Sequence, residues 1–193
     1  MPVDVLTRLR TETRSSHQAL EADLDIFSHL ASDAGRRRLV GLFHGLHAGA
    51  EAALGPWLSA LPDLDYDARR RQPLLDRDLA WFGDRAPAAC PMPDPASEGE
   101  ALGLLYVLEG STLGGQVIRK RLLADGRTLD GVSFLDPYGD QTGPRWKGFL
   151  AVLGRACPPD RPATGQAAVR GAVRGFIAAR NWLCAPVRQE ACA

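Results

Sequence analysis

The chain has 193 residues, 45% hydrophobic and 24% charged, a balance that sets aside disordered, collagenous and membrane classes and predicts one ordinary globular domain. Lys plus Arg and Asp plus Glu both number 23, so a zero formal net charge gives no electrostatic argument for nucleic acid or a membrane surface. No run approaches the roughly 20 apolar residues of a spanning helix, and residues 1–4 do not open a signal peptide, so a cytoplasmic setting is expected.

Apolar residues recur at helical spacing almost throughout, which predicts an all-α single-domain bundle over residues 1–193 with its core at about 4–184. The first helix is expected from about Asp4 to Leu24, with Leu6, Leu9, Thr13, His17, Leu20 and Leu24 on one inward stripe. A second starts at Ser32 or Asp33, turns Leu39, Phe43, Leu46, Ala50 and Leu54 inward, and ends or kinks near Gly55-Pro56. A shorter helix covers Leu74 to Phe82. Residues 85–96 hold four prolines and read as an internal linker. Ser97 with Glu100 has the capping-box pattern and opens an apolar helix through Leu102, Leu105, Tyr106 and Leu108. Arg127 to Gly143 reads as a loop. Pro144 sits at a first helical position ahead of Trp146, Phe149, Leu150 and Leu153, and a last helix from about Thr164 carries Val169, Val173, Phe176, Ile177 and Leu183. The cysteines Cys90, Cys157, Cys184 and Cys192 are widely spaced and read as plain thiols.

Two features call for chemistry. The run from Leu108 to Val117 places Gly110, Gly114 and Gly115 in a helix, where each glycine costs about 1 kcal/mol against alanine. They either let a neighbouring helix pack closely or end the helix, or they present a side-chain-free face to a flat ligand. His17 on an apolar stripe is either a hydrogen-bonded core residue or an imidazole aimed at a ligand such as haem iron. His44, His47 and Glu51 share one helical face and could meet at a metal, although a structural role is preferred.

The segment Leu9-Arg10-Thr11-Glu12-Thr13-Arg14-Ser15-Ser16-His17-Gln18-Ala19-Leu20-Glu21 resembles the opening helix of haem oxygenases. Tyr106-Val107-Leu108-Glu109-Gly110-Ser111-Thr112-Leu113-Gly114-Gly115-Gln116 is similar to that family's distal helix, particularly in bacterial members, including those associated with bacteriophytochromes. The likeness runs on through Arg145-Trp146-Lys147-Gly148-Phe149-Leu150. The resemblance implies haem as both cofactor and substrate, with His17 as the iron ligand and Glu21 as the acidic residue following it. It implies a distal wall of Gly110, Ser111, Gly114 and Gly115, and Thr112 as a second hydroxyl that could anchor water. Where the animal enzymes place an aspartate after the first distal glycine, this sequence has Ser111. Arg10 corresponds to a basic position that binds a propionate, with Lys147 and Arg119 or Lys120 as further candidates. The implied reaction uses dioxygen and an external electron donor of ferredoxin, flavodoxin or reductase type, and yields biliverdin, carbon monoxide and ferrous iron. A phytochrome is a candidate acceptor for the product. The alternative on the same fold is a haem carrier, store or sensor that does not turn over.

Overall fold

A computed structural model describes residues 4–185, and Cys192 lies outside them. Among the described residues there are seven α-helices and no strand. They are α1 (Val5–Leu24), α2 (Ile26–Leu30), α3 (Asp33–Leu58), α4 (Gln72–Trp81), α5 (Glu98–Ala124), α6 (Thr142–Ala156) and α7 (Pro162–Leu183).

Local chemistry explains most boundaries. The Asp4 carboxylate accepts from the Leu6 and Thr7 amides and caps α1. That helix stops at Asp25, whose φ of 39° and ψ of 60° put it in the left-handed region and turn the chain into α2, a short helix that the sequence pattern did not predict. Ser32 caps α3 and Ser97 caps α5 through the Gly35 and Glu100 amides. Pro56 does not end α3, which continues to Leu58. In the last turn its missing N–H forfeits a single bond, and buried Leu58 repays it with core contact. α5 likewise runs unbroken through all three motif glycines, because burial of Leu102, Leu104, Leu105 and Leu108 outweighs their poor helix propensity. α6 starts at Thr142, two residues before Pro144, and the loop before it contains two 3₁₀ turns, Ser133–Leu135 and Gly139–Gln141.

α7 lies between α1 and α5 and packs along both. Gly103 of α5 faces the Ala168 backbone, Gly175 faces Leu104 and Val107, Gly165 faces Val5 and Arg8, and the Arg180 guanidinium pairs with Asp23. Residue numbers rise together in each pair, so α1, α5 and α7 run parallel. The 85–96 segment is a packed strap rather than a free linker: the Cys90 amide donates to the Gly45 carbonyl at 2.8 Å, and a β-carbon at Gly49 would overlap the Cys90 carbonyl oxygen. Cys90, Cys157 and Cys184 are free thiols, as expected.

By length and composition α5 could cross a membrane, but half of its most apolar window is buried against the rest of the bundle and two glutamates, Glu100 and Glu109, are buried with it.

Candidate functional site

The Tyr106 hydroxyl lies against Thr13, which joins α1 to α5 at one level of the bundle; burial raises the phenol above its ordinary pKa, opposed by Arg10 and by the Thr13 contact. Because the helices are parallel, one further turn brings His17 on α1 and Gly110 on α5 to the next level. There exposure rises on both helices. Leu9, Thr13 and Leu24 of the α1 stripe are buried, whereas the His17 side chain, on the same stripe, is 52% exposed. The α5 face behaves the same way: Gly103 is buried, Gly110 partly so, and Gly114 and Val117 are exposed, Val117 to 65%.

His17 keeps the helical phase of the stripe, but its side chain is half exposed instead of facing into the core as expected. Its ring packs edge-on against Phe176 of α7, centroids 5.6 Å apart at 85°, and its Nδ1 lies 3.6 Å from the Glu21 carboxylate one helical turn on. Phe176 was read from the sequence only as an apolar core position.

The three glycines divide by environment. A β-carbon at Gly110 or Gly114 would meet nothing within 4 Å, while one at Gly115 would overlap the Leu135 carbonyl oxygen. Gly115 thus admits the 133–135 turn to the far side of α5 and does not belong to the distal wall. Thr112 also departs from expectation: it is buried and donates to the Glu109 carbonyl at 2.7 Å, so its hydroxyl is spent inside the bundle. Ser111 is exposed and donates to the Leu108 carbonyl.

Of the cations, Arg119 is turned away. Nine residues at about 100° each put it half a turn round α5 from Gly110, and it pairs at 3.0 Å with Asp136 in the loop behind. Arg10, Lys120 and Lys147 are exposed and have no carboxylate within 4.0 Å among the described residues. Arg10 is near enough to Tyr106 to act on its pKa, and Lys147 follows Trp146, whose ring is 5.7 Å from Tyr106.

Beside the glycine face is a buried polar cluster that the sequence did not disclose. Glu109 accepts from Arg69 at 2.5 Å and from the Tyr138 hydroxyl at 2.7 Å, and Arg71 stands 3.7 Å from the same carboxylate and 4.3 Å over the Tyr138 ring. Burial, opposed in part by Arg71, pushes the Tyr138 phenol up to about 12. The available signals were the arginine triplet 69–71 and a glutamate interrupting the apolar run just before Gly110. His44 and His47 turn to different carboxylates: His44 Nε2 is 2.9 Å from Asp76, His47 Nδ1 is 4.0 Å from Glu51, and no group of three metal-capable side chains occurs among the described residues. Burial lowers the His47 pKa to about 3.

The residue types here suit a flat apolar ring with a metal at its centre. One wall offers an imidazole steadied on both sides, the other offers backbone without β-carbons at Gly110 and Gly114, and Leu113 and Val117 extend that wall as exposed apolar surface.

No family model matches the chain. A haem oxygenase of Xanthomonas campestris pv. campestris is 39% identical over 110 residues, covering 57% of this chain and 66%, just under two thirds, of that relative. The bundle superposes on the haem oxygenase of Neisseria meningitidis, solved with NO and with CO bound, at a TM-score of 0.75 and 21% identity, over 97% of this chain and 95% of that one. The haem oxygenase of Leptospira interrogans gives a TM-score of 0.73 and 17% identity, over 94% and 99% of the two chains. The chain is similar to these haem oxygenases in sequence over that segment and shares their fold. The all-α, single-domain fold implied by the sequence resemblance is the fold of these haem oxygenases, and the two quoted segments lie on α1 and α5.

Proposed function

We propose that this protein is a haem-degrading oxygenase whose substrate lies between α1 and α5. The observation that carries the reading is the coincidence, at one level of the bundle, of a half-exposed imidazole at His17 with the bare backbone of Gly110 and Gly114. His17 Nε2 is the iron ligand. The Glu21 carboxylate draws the proton of the imidazole to Nδ1 and leaves Nε2 its lone pair, while Phe176 limits ring rotation. Gly110 and Gly114 let the distal wall approach closer than any β-carbon would allow. Ser111 can turn its hydroxyl from the Leu108 carbonyl to hold water on that wall, the task that Thr112 cannot share. Arg10, Lys120 and Lys147 are the partners for the carboxylates of the substrate, since their charges are not already neutralised by a bridge.

Bound haem supplies the iron at which dioxygen is activated and is itself the substrate, opened to biliverdin with loss of carbon monoxide and ferrous iron. The electrons come from an external donor of ferredoxin, flavodoxin or reductase type in a cytoplasmic setting, and a phytochrome is a candidate acceptor of the product. Stoichiometric haem addition, followed by absorption in air with reductant and catalase, tests the reading. Conversion of a histidine-ligated spectrum to that of biliverdin is expected. An intact complex after a protein donor has also been supplied would assign a carrier instead, and no complex would overturn both.

A further inference from the structure

On the flank of α7 turned away from α1, a groove of about 420 Å³ lies between that helix and the proline strap. Pro91 and Met92 form one wall and Ile177 and Trp182 the other, with Arg174 at one end and Asn181 at the other. Ile177 is 52% exposed although its neighbour Phe176 is buried against His17.

We propose that this groove binds an amphipathic carboxylate, an apolar tail of about ten carbons or the equivalent with its acid group at Arg174. The length follows from the helix: Arg174 and Asn181 stand two turns apart on one face, about 10 Å at 1.5 Å per residue. Charge supplies the polarity. Arg174 and Arg170 share a single buried carboxylate, Glu100, at 3.1 and 3.2 Å, and neither has another carboxylate within 4.0 Å among the described residues. Two guanidinium groups against one carboxylate leave one positive charge uncompensated at that end of the groove. Glu100 also accepts from the Ala96 amide at 3.0 Å and its pKa is lowered, so the carboxylate is fixed and holds Arg174 in place within a trio of net charge +1. The Trp182 Nε1 donates to the Leu42 carbonyl at 2.7 Å, which pins the indole as a rigid apolar wall. The site is distinct from the haem cleft, because Ile177 and Arg174 leave α7 on a different side from Phe176, and the inference does not depend on the proposed activity.

The test is titration of the full-length protein with sodium decanoate, read by the indole N–H resonances in a ¹H–¹⁵N spectrum, with Trp182 assigned by Trp182→Phe. Saturable displacement of the Trp182 signal is expected, with the Trp146 signal, beside Tyr106 and the cleft, unmoved. Arg174→Gln should weaken binding about tenfold, the loss of one charge-assisted bond, and Ile177→Asp, an exposed position that leaves the core intact, should abolish it. Decanol should bind no better to wild type than decanoate does to Arg174→Gln. Equal affinity for decanol and decanoate, an unmoved Trp182 signal, or a shift that follows protein concentration instead of decanoate and so marks a self-interface, would each overturn the proposal.

Discussion

Glu109 accepts a 2.5 Å hydrogen bond from Arg69 with both side chains buried, and at the very next residue, Gly110, a β-carbon would meet nothing within 4 Å. The distal wall is thus braced from behind by an ion pair anchored outside its own helix, since the Arg69 Nε also donates to the Leu64 carbonyl at 2.7 Å. Removing one partner strands the other in the interior. Arg69→Met is expected to cost about 3–5 kcal/mol by urea denaturation, and Arg69→Met with Glu109→Met together less than the sum of the two single changes. Additive losses would mean that the two groups do not act as a pair.

Gly114 and Gly115 are adjacent and should behave oppositely. Gly114→Ala meets empty space on a helix, so stability should hold or rise by up to about 1 kcal/mol while haem affinity falls. Gly115→Ala drives a methyl into the Leu135 carbonyl and should destabilise by about 1–3 kcal/mol. Paired thermal melts and haem titrations decide the matter, and equal effects at the two positions would sink the assignment of Gly114 to the cleft.

Because its side chain is half exposed, His17→Ala should leave the melting temperature of the haem-free protein nearly unchanged. The haem complex should lose its histidine-type spectrum, and added imidazole should restore it. A wild-type spectrum in the variant would show that another residue ligates the iron.

His47 gives a pH dependence. Burial holds its folded pKa at about 3, while in the unfolded chain it titrates near 6.5. Above pH 6.5 both states are neutral there and stability is full. As pH falls below 6.5 only the unfolded state gains the proton, so stability drops by about 1.4 kcal/mol per unit until the folded histidine protonates near 3. Between pH 6.5 and 4.5 the loss should reach roughly 2–3 kcal/mol, before the depressed carboxylates such as Glu100 contribute. Urea denaturation across that window should show the slope, and His47→Gln should flatten it.

The elements built on local rules were legible in the sequence: the Asp4 start of α1, the Ser32 and Ser97 caps and the apolar stripe carrying His17. Where tertiary packing overrode local preference, the reading fell short. Pro56 and the three motif glycines were expected to disturb helices that core burial carries straight through. Within the site, Arg119 could have been set aside by helical phase alone, since half a turn separates it from Gly110. Nothing local distinguishes Gly115 from Gly114, because the difference lies in the 133–135 turn that arrives from elsewhere in the chain. The Glu109 cluster was hidden for the same reason: Arg69 and Tyr138 are 40 and 29 residues away, and only the fold brings them together.

The placing of α7 between two helices that run in its own direction has a consequence for biosynthesis. The walls of the cleft reside in opposite halves of the polypeptide, and the helix that sets their relative position is the last of the seven described. A nascent chain with α1 and α5 already outside the ribosome still lacks the helix packed along both, so on the proposed reading a binding geometry forms only once Leu183 has emerged.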